Sequence, residues 1–365
     1  MCEGLFQAGS FVTLFAHTNS PTKISSQKVD DIYGIQNVKI KLNLFYSNYK
    51  KGIEFFIAII SVINFLFSIF KNNIPKYIIS RNLYAAFFFS FLFRKSIIYE
   101  THSPENGFRK KIQKWLLSSD KVNTVVISNA LKTIIIELYK IDGKRVHVFH
   151  DAARAGRKRL EFSERRNLGQ KLLSNTFSLN HYKKTIGYFG HLYTGRGIEI
   201  IEGLARLNPE YAFCVYGGNE KEILEYKKKN TNNNLYYMGF INPKKVHATM
   251  QTMDILLMPY QNFVSIGINN SDTSKWMSPM KLFEYLSVGV PLISSDINVL
   301  KEVLIDNENC ILVEPDNLDA WNKAIQKLEI DPKFAEYIGY NAFKLYENKY
   351  TWKYRAQKIL SINYD

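Results

Sequence analysis

The chain has 365 residues, of which 46% are hydrophobic and 22% charged, and these proportions are ordinary for a globular protein. A chain of this length is enough for two domains with sizeable cores. Its three cysteines, Cys2, Cys214 and Cys310, are widely spaced and do not form a metal-binding pattern. Their odd number argues against a disulfide framework and favours a reducing compartment.

The formal net charge of +15 is confined to one half of the chain. Residues 1–175 contain 27 lysines and arginines against 12 aspartates and glutamates, whereas the 21 basic and 21 acidic residues of the remainder cancel. A one-sided basic surface indicates a polyanionic partner, either nucleic acid or an anionic membrane. Because the sequence contains no zinc finger, RNA-recognition signature or basic heptad region, the membrane is the preferred partner and no nucleic acid is expected.

The first residues predict a helix followed by a strand. Residues 1–9, MCEGLFQAG, have the composition of the end of a helix, and residues 11–16, FVTLFA, predict the strand. No basic start and no small-residue cleavage site surround a hydrophobic run, so a signal peptide is not expected.

Residues 53–70, IEFFIAIISVINFLFSIF, are the most apolar run in the chain. Their number is close to the minimum of about 17 for a bilayer-spanning helix, but Glu54 and Asn64 interrupt the run, so a span is the least favoured interpretation. Two other interpretations stay open: a buried core helix, or a helix that lies on a membrane surface. Basic residues flank this run and the shorter run at 85–93: Lys50, Lys51, Lys71, Lys76, Arg94 and Lys95.

The rest of the first half predicts an α/β domain. Strands are expected at 76–80, 96–100, 124–127 and 146–149, and a helix at 129–139. His102 follows one of these strands in the segment YETHSPE, and ligands of open α/β sheets bind at the carboxyl ends of strands. His102 either donates to a substrate or is a strand-end histidine satisfied by the backbone. The basic and polar residues 154–180 predict a linker.

The second half begins with a strand at 185–189 and the glycine-rich loop GHLYTGRG at 190–197. A strand, a glycine-rich loop and a helix can bring backbone N–H groups to a phosphate, although a lone glycine-rich loop is weak evidence. Further strands are predicted at 211–216, 234–237, 254–258, 290–293 and 310–313.

Residues 278–296, SPMKLFEYLSVGVPLISSD, predict a helix, a Gly-Val-Pro turn and a buried strand. Ser278-Pro279 is a helix-start signal, since serine can cap and proline fits the first turn. Lys281 and Glu284 are three residues apart and share a face near the helix N-terminus. A cation beside a helix N-terminus binds an anion, and a carboxylate one turn later can accept two hydrogen bonds from a diol. Phosphate plus ribose fits this pair, and a surface ion pair is the alternative.

This segment closely resembles the nucleotide-sugar segment of glycosyltransferase family 4, whose members are retaining enzymes of the GT-B fold, in its variant SPxKxxEYxxxGxP. The resemblance covers nearly the whole chain and is strongest over residues 185–315. It implies two doubly wound, Rossmann-like α/β domains that face each other across a cleft. The two domains are an N-terminal domain at 1–175 that faces acceptor and membrane and a nucleotide-sugar domain at 176–348, and a C-terminal helix at 349–365 crosses back to the first.

The resemblance also implies site residues. Family members hold the diphosphate with two cations near the glycine-rich loop; Arg196 matches the second, and His191 stands where the first is usually arginine. The implied catalytic residues are His102, Arg196, Lys281 and Glu284. The implied donor-binding residues are Gly190, His191, Arg196, Gly217, Gly239, Phe240, Ser278, Lys281, Leu282 and Glu284.

Two features depart from the family pattern. The family usually carries an acidic residue eight positions before the glutamate, and this chain has Trp276 there, with Asp272 as the nearest carboxylate. The expected first strand of the N-terminal domain also precedes residue 1 or is missing, since residues 1–9 already predict the following helix.

The expected activity is a hexosyltransferase-type reaction of EC class 2.4. A sugar moves with retention from a nucleotide-diphosphate sugar, most often a UDP-sugar in this family, to a lipid-linked or polysaccharide acceptor. The expected pathway is surface polysaccharide biosynthesis, such as O-antigen, other lipopolysaccharide or capsule, and the expected location is cytoplasmic, peripheral at the inner face of the cell membrane. No metal cofactor is expected, because no DxD-like cluster occurs near the loops. An inactive nucleotide-sugar-binding protein and a UDP-sugar epimerase stay open as alternatives.

Overall fold

The computed structural model of the chain describes residues 1–18, 40–46, 52–71, 74–154, 156–174, 176–267 and 272–362. Its strands are β1 (Val12–Thr18), β2 (Ile40–Tyr46), β3 (Ile79–Ser80), β4 (Ile97–Thr101), β5 (Val122–Val126), β6 (Val146–Val148), β7 (Lys184–Phe189), β8 (Tyr211–Tyr216), β9 (Leu235–Gly239), β10 (Ile255–Met258), β11 (Leu292–Ser295) and β12 (Ile311–Val313).

Its α-helices are α1 (Cys2–Gln7), α2 (Ile53–Phe70), α3 (Leu83–Phe91), α4 (Gly107–Ser118), α5 (Asn129–Tyr139), α6 (Phe162–Leu173), α7 (Ile198–Leu207), α8 (Glu220–Lys229), α9 (Pro243–Gln251), α10 (Met280–Val288), α11 (Leu318–Ile330), α12 (Pro332–Lys349) and α13 (Trp352–Leu360). Short 3-10 turns occur at Leu179–His181 and Leu300–Glu302.

The chain divides into two compact units. The first unit comprises Met1–His150 together with Trp352–Asp365, and the second comprises Asp151–Thr351. Residues 151–175, which the sequence analysis placed in the first domain, therefore lie in the second unit. Their polar composition predicted a linker, but they contain α6, whose Gly169 lies against Leu179 and Thr252 of that unit.

The first unit contains parallel sheets covered by helices. Strand β1 pairs with β2 in one sheet, and the order β3-β4-β5-β6 forms another, with register pairs such as Thr101 with Val126. The main core of this unit joins α2, α3, β4, α4 and β5 through residues such as Phe65, Phe89 and Leu116. Local capping explains two helix starts, since the side chain of Asn82 accepts hydrogen bonds ahead of α3 and that of Ser128 ahead of α5.

Helix α13 returns the chain to the first unit. Its Arg355 donates to the carbonyl oxygens of Phe149 and His150 and forms an ion pair of 3.1 Å with Glu100 at the end of β4. Helix α1 approaches α13 so closely that a Cβ on Gly4 would lie 2.2 Å from the carbonyl oxygen of Trp352. Only glycine therefore fits at position 4.

The second unit contains one six-stranded parallel sheet in the order β12-β11-β10-β7-β8-β9. The strand order changes direction at β7: β8 and β9 are added on one side of it, and β10, β11 and β12 on the other. Its core lies beneath α7 and α11 and includes the fully buried Trp321. The carboxyl ends of β7, β8, β9 and β10 share one edge of this sheet because all four strands are parallel.

Candidate active site

The predicted glycines lie where three strands of the second unit end. Gly190, Gly217 and Gly239 end β7, β8 and β9; Gly190 donates its N–H to Tyr216, and Gly217 donates to the carbonyl oxygen of Gly239 at 2.8 Å. A Cβ on Gly217, whose φ is +117°, would lie 1.9 Å from the carbonyl oxygen of Gly190. The close backbone contact at Gly217 requires glycine, and a Cβ on Gly190 would lie 3.1 Å from Nζ of Lys281.

Helix α10 begins at Met280, and its start differs from the prediction. Pro279 is the N-cap residue and no side chain caps the helix. The hydroxyl of Ser278 instead accepts a hydrogen bond of 3.0 Å from the backbone N–H of Asp151. The predicted serine cap is therefore wrong: Ser278 binds a residue 127 positions away, and the first turn of α10 has no side-chain cap in competition with an anion.

Lys281 is held by aromatic rings. Its Nζ lies 3.9 Å from the ring centre of Tyr188 and 4.6 Å from that of Tyr260, and it is buried without a hydrogen-bond partner among the described residues. Burial, with the neighbouring charge of Arg196, lowers the pKa of Lys281 well below its ordinary value. A cation in this state gains strongly from an anion that reaches it.

Arg196 shares one of these rings, that of Tyr260, with Lys281. Its guanidinium carbon is 4.8 Å from the ring centre of Tyr260, Nη2 donates to the carbonyl oxygen of Ser265, and Nε is buried without a partner in the described part of the chain. The loop around it is tightly packed, since a Cβ on Gly195 would lie 1.7 Å from the carbonyl oxygen of Phe263. Arg196 and Lys281 thus meet at Tyr260.

His191 stands at the first of the two expected cation positions and stacks on Tyr193, with ring centres 4.8 Å apart and planes 2° apart. Burial, followed by the charge of Arg196, lowers its pKa. His191 is therefore biased towards the neutral form, in which it offers a hydrogen bond and no charge to a phosphate.

Glu284 lies one turn after Lys281. Its carboxylate has no hydrogen bond or ion pair to any residue in the described ranges, and burial raises its pKa while Arg157 opposes that change. The carboxylate is thus available for hydroxyl donors. The side chain of Leu282, in contrast, is fully buried in the core.

Phe240 follows β9 and is exposed, next to Gly239 at a φ of +75°. An exposed ring at a strand end offers a stacking surface, as expected for a nucleobase. Asp272 has a structural role, because its Oδ1 accepts hydrogen bonds from the backbone N–H groups of Val264 and Ser274.

His102 belongs to the first unit and has two protein partners. Its Nε2 lies 2.9 Å from Glu100, and its Nδ1 lies 3.1 Å from Nη2 of Arg81. Since arginine only donates, Nδ1 is the acceptor and Nε2 carries the proton. Burial opposes ionisation of Glu100, but hydrogen bonds and charges from His102 and Arg355 lower its pKa to about 2. Both ring nitrogens of His102 are engaged, so donation to a substrate requires one of these bonds to break.

The sequence reasoning missed Tyr188 and Tyr260. Both are buried at the carboxyl ends of strands, in the segments YFGH and MPYQ, and an aromatic residue at such a position resembles an ordinary core residue. The described residues contain no group of three or more histidines, cysteines, aspartates or glutamates that could hold a metal.

A family model described as glycosyl transferases, group 1, matches residues 171–345. An uncharacterized glycosyltransferase of Methanocaldococcus jannaschii is 20% identical over 257 residues, which are 68% of this chain and 61% of the relative. The chain thus spans about three fifths of the length of this curated relative.

Solved structures resemble the chain over nearly its full length. Sucrose-phosphate synthase from Thermosynechococcus elongatus has a TM-score of 0.69 at 15% identity and covers 99% of this chain and 90% of its own. HepE from Anabaena, solved with UDP and glucose, has a TM-score of 0.67 at 14% identity, and the match covers 98% of this chain and 93% of HepE.

These likenesses confirm the fold class, which is the two-domain, Rossmann-like GT-B fold. The prediction of a transferase of EC class 2.4 is confirmed at the level of the domain, since residues 171–345 match the glycosyl transferases of group 1. The finer assignment to family 4 and its SPxKxxEYxxxGxP variant stays a prediction.

Proposed function

We propose that the protein is a retaining glycosyltransferase that moves a sugar from a UDP-sugar to the hydroxyl of a lipid-linked saccharide in surface polysaccharide biosynthesis. One observation carries the proposal: Nζ of Lys281 and Nε of Arg196 are buried beside the rings of Tyr188 and Tyr260, with no carboxylate paired to either side chain among the described residues. Two cations held together at strand ends, beside an uncapped helix start, fit a diphosphate.

The proposed chemistry depends on the leaving group. The bond between the anomeric carbon and the β-phosphate oxygen breaks, the acceptor oxygen bonds to that carbon, and the acceptor proton leaves with the diphosphate. Lys281, Arg196 and the first N–H groups of α10 stabilise the negative charge that develops on the phosphate. Glu284 accepts hydrogen bonds from the ribose. No metal is assigned to this step, since the two cations take the role of neutralising the diphosphate.

The donor and acceptor are proposed on different grounds. Crystals of HepE, a structural neighbour, contained UDP and glucose, which supports uridine as the base, with Phe240 as its stacking surface. The excess of basic residues in 1–175 supports an acceptor carried by an anionic membrane, and hence a cytoplasmic enzyme at its inner face. His102 is proposed to lie near the transferred sugar or acceptor.

The comparisons favour neither alternative, an inactive binding protein or a UDP-sugar epimerase. Two substitutions relative to the family pattern, Trp276 and His191, are proposed to affect which sugar is accepted and how tightly the diphosphate is held. An epimerase would return an altered UDP-sugar without an acceptor, whereas the proposed enzyme releases UDP only as the acceptor is glycosylated.

The test is turnover of UDP-sugars with a membrane lipid extract, followed as UDP release. Lys281→Ala should reduce turnover by about 10²–10³-fold, as expected for the loss of one group that stabilises transition-state charge. Glu284→Ala should weaken donor binding. The matched control is Lys327→Ala, because Lys327 also lies over a ring, that of Phe334 at 4.4 Å, but bonds to Asn307. Turnover of Lys281→Ala equal to that of Lys327→Ala would remove Lys281 from the site.

A further inference from the structure

Helix α2 has an apolar face that the protein does not cover. Only Ala58, Ser61 and Phe65 of its 18 residues are buried. On the opposite side, and on the adjoining end of α3, six apolar residues are between 45% and 84% exposed. We call this surface the aromatic face; it comprises Phe56, Ile63, Phe67, Phe70, Phe91 and Leu92.

Helices α2 and α3 pack on each other through rings beneath this surface. The ring of Phe65 on α2 lies 5.1 Å from that of Phe89 and 5.7 Å from that of Phe93, so the last turns of α2 and α3 lie side by side. Trp115 of α4 joins the same end, 5.5 Å from Phe91. The residues of the aromatic face therefore lie on helices of the first unit that pack on one another.

Every polar side chain of α2 bonds within the protein. Ser61, Asn64 and Ser68 donate to carbonyl oxygens of α2 itself at 2.7–2.9 Å. Glu54 forms an ion pair of 2.6 Å with Arg109 of α4. These bonds leave no polar side chain of α2 that would lose its hydrogen-bond partner on contact with lipid tails, although the same kind of bond also occurs in other helices of the chain.

Cations border the aromatic face. Lys71 follows Phe70 directly, and Arg94 and Lys95 follow Leu92 and Phe93. All three are exposed, and none forms an ion pair with a carboxylate of the described residues. Apolar side chains bordered by unpaired lysine and arginine are complementary to a bilayer of anionic lipids, where the rings enter the headgroup region and the cations meet the phosphates.

We propose that the aromatic face docks on an anionic lipid bilayer, with α2 lying in the plane of the interface. By length and composition alone, the 18 residues of α2 could cross a membrane. We place α2 in the plane of the interface instead, because its Phe55 and Phe65 pack on α3. This inference deepens the proposed function, since it gives the surface through which the enzyme reaches a lipid-linked acceptor.

The test is co-sedimentation of the full chain with vesicles of phosphatidylcholine that contain phosphatidylglycerol, and with vesicles of phosphatidylcholine alone. The full chain should bind the anionic vesicles, less so at high salt, and should be released by alkaline carbonate. Phe67→Asp/Phe70→Asp should reduce the partition coefficient by about tenfold or more, because two rings leave the interface and two negative charges enter it. The double variant should fold, since both side chains are exposed.

The matched control is Leu224→Asp/Ile330→Asp in the second unit, which places the same two charges at apolar residues that are 58% and 80% exposed and should leave vesicle binding unchanged. Equal binding of Phe67→Asp/Phe70→Asp and the control would overturn the proposal. Retention of the full chain on the vesicles after carbonate would also overturn it, because it would indicate a membrane span. So would a dimer of the full chain in the absence of vesicles that dissociates in Phe67→Asp/Phe70→Asp but not in the control, because the aromatic face would then bind a second copy. UDP binding, measured separately, should be the same in all variants, so that failure of docking and failure of the donor site are distinguishable.

Discussion

At the scale of single residues, Tyr260 determines where two cations lie. Lys281 and Arg196 repel each other, and both are partly removed from water. The electron-rich ring of Tyr260 lies within 5 Å of both. Such contacts contribute on the order of 2 kcal/mol each when they are desolvated. We therefore regard Tyr260 as a positioning residue for the proposed diphosphate site, acting through Lys281 and Arg196.

Replacement of Tyr260 separates this role from simple packing. Tyr260→Phe keeps the ring and should change the Kd for UDP by less than about threefold, whereas Tyr260→Leu removes it and should weaken UDP at least tenfold. Titration calorimetry measures both. Tyr211→Leu is the matched control. Tyr211 is as buried as Tyr260, but it lies at the amino end of β8, away from the strand ends where the cations lie. If Tyr260→Leu and Tyr211→Leu weaken UDP equally, the ring has no positioning role.

At the scale of elements, the ion pair between Glu100 and Arg355 fixes α13 to the carboxyl end of β4. Both side chains are almost fully buried, at 6% and 2% exposure. Loss of one member leaves the other charge buried without its partner, which costs on the order of 3–5 kcal/mol. The carboxylate of Glu100 also bonds to Nε2 of His102, so it joins Arg355 of α13 to a candidate catalytic residue.

Glu100→Gln should therefore lower the stability of the protein, measured by calorimetry at neutral pH. The pKa of Glu100 is lowered from 4.5 to about 2 in the folded protein, so its contribution is present above pH 4.5 and is lost as the pH falls towards 2. The difference in Tm between wild type and variant should shrink over this range. A difference that is independent of pH would show that the charge of Glu100 does not stabilise the fold.

The elements also show what a sequence can predict. The limits of α5 and β8 were predicted correctly, because a capping serine and a continuous apolar run are local signals. The predicted serine cap of α10 was wrong because the hydroxyl of Ser278 accepts a hydrogen bond from the backbone N–H of Asp151, a residue distant in the chain. Helix α6 was missed because its sequence is mostly polar, and its contacts with Thr252 come from elsewhere in the fold.

At the scale of the whole molecule, the α/β class followed from the order of strands and helices, whereas the GT-B fold and most donor-site candidates followed from the resemblance to a known family. Lys281 and Glu284 could be predicted because their spacing on a helix is a local property. The rings around Lys281 could not, since Tyr188 and Tyr260 reach it from two different strands. The solvent exposure of α2 could not be predicted from the sequence either, because a core helix and an interfacial helix can have the same composition.

The central claim is that the second unit binds a nucleoside diphosphate through Lys281 and Arg196. Its most direct test is the thermal shift of the full chain with UDP and, for comparison, GDP, with EDTA present. At a hundredfold excess over Kd, binding contributes about 2.7 kcal/mol, which should raise Tm by several degrees. The account predicts this rise with UDP and its loss in Lys281→Ala, with Lys327→Ala unchanged. No rise with either nucleotide, or an equal rise in Lys281→Ala, would contradict it.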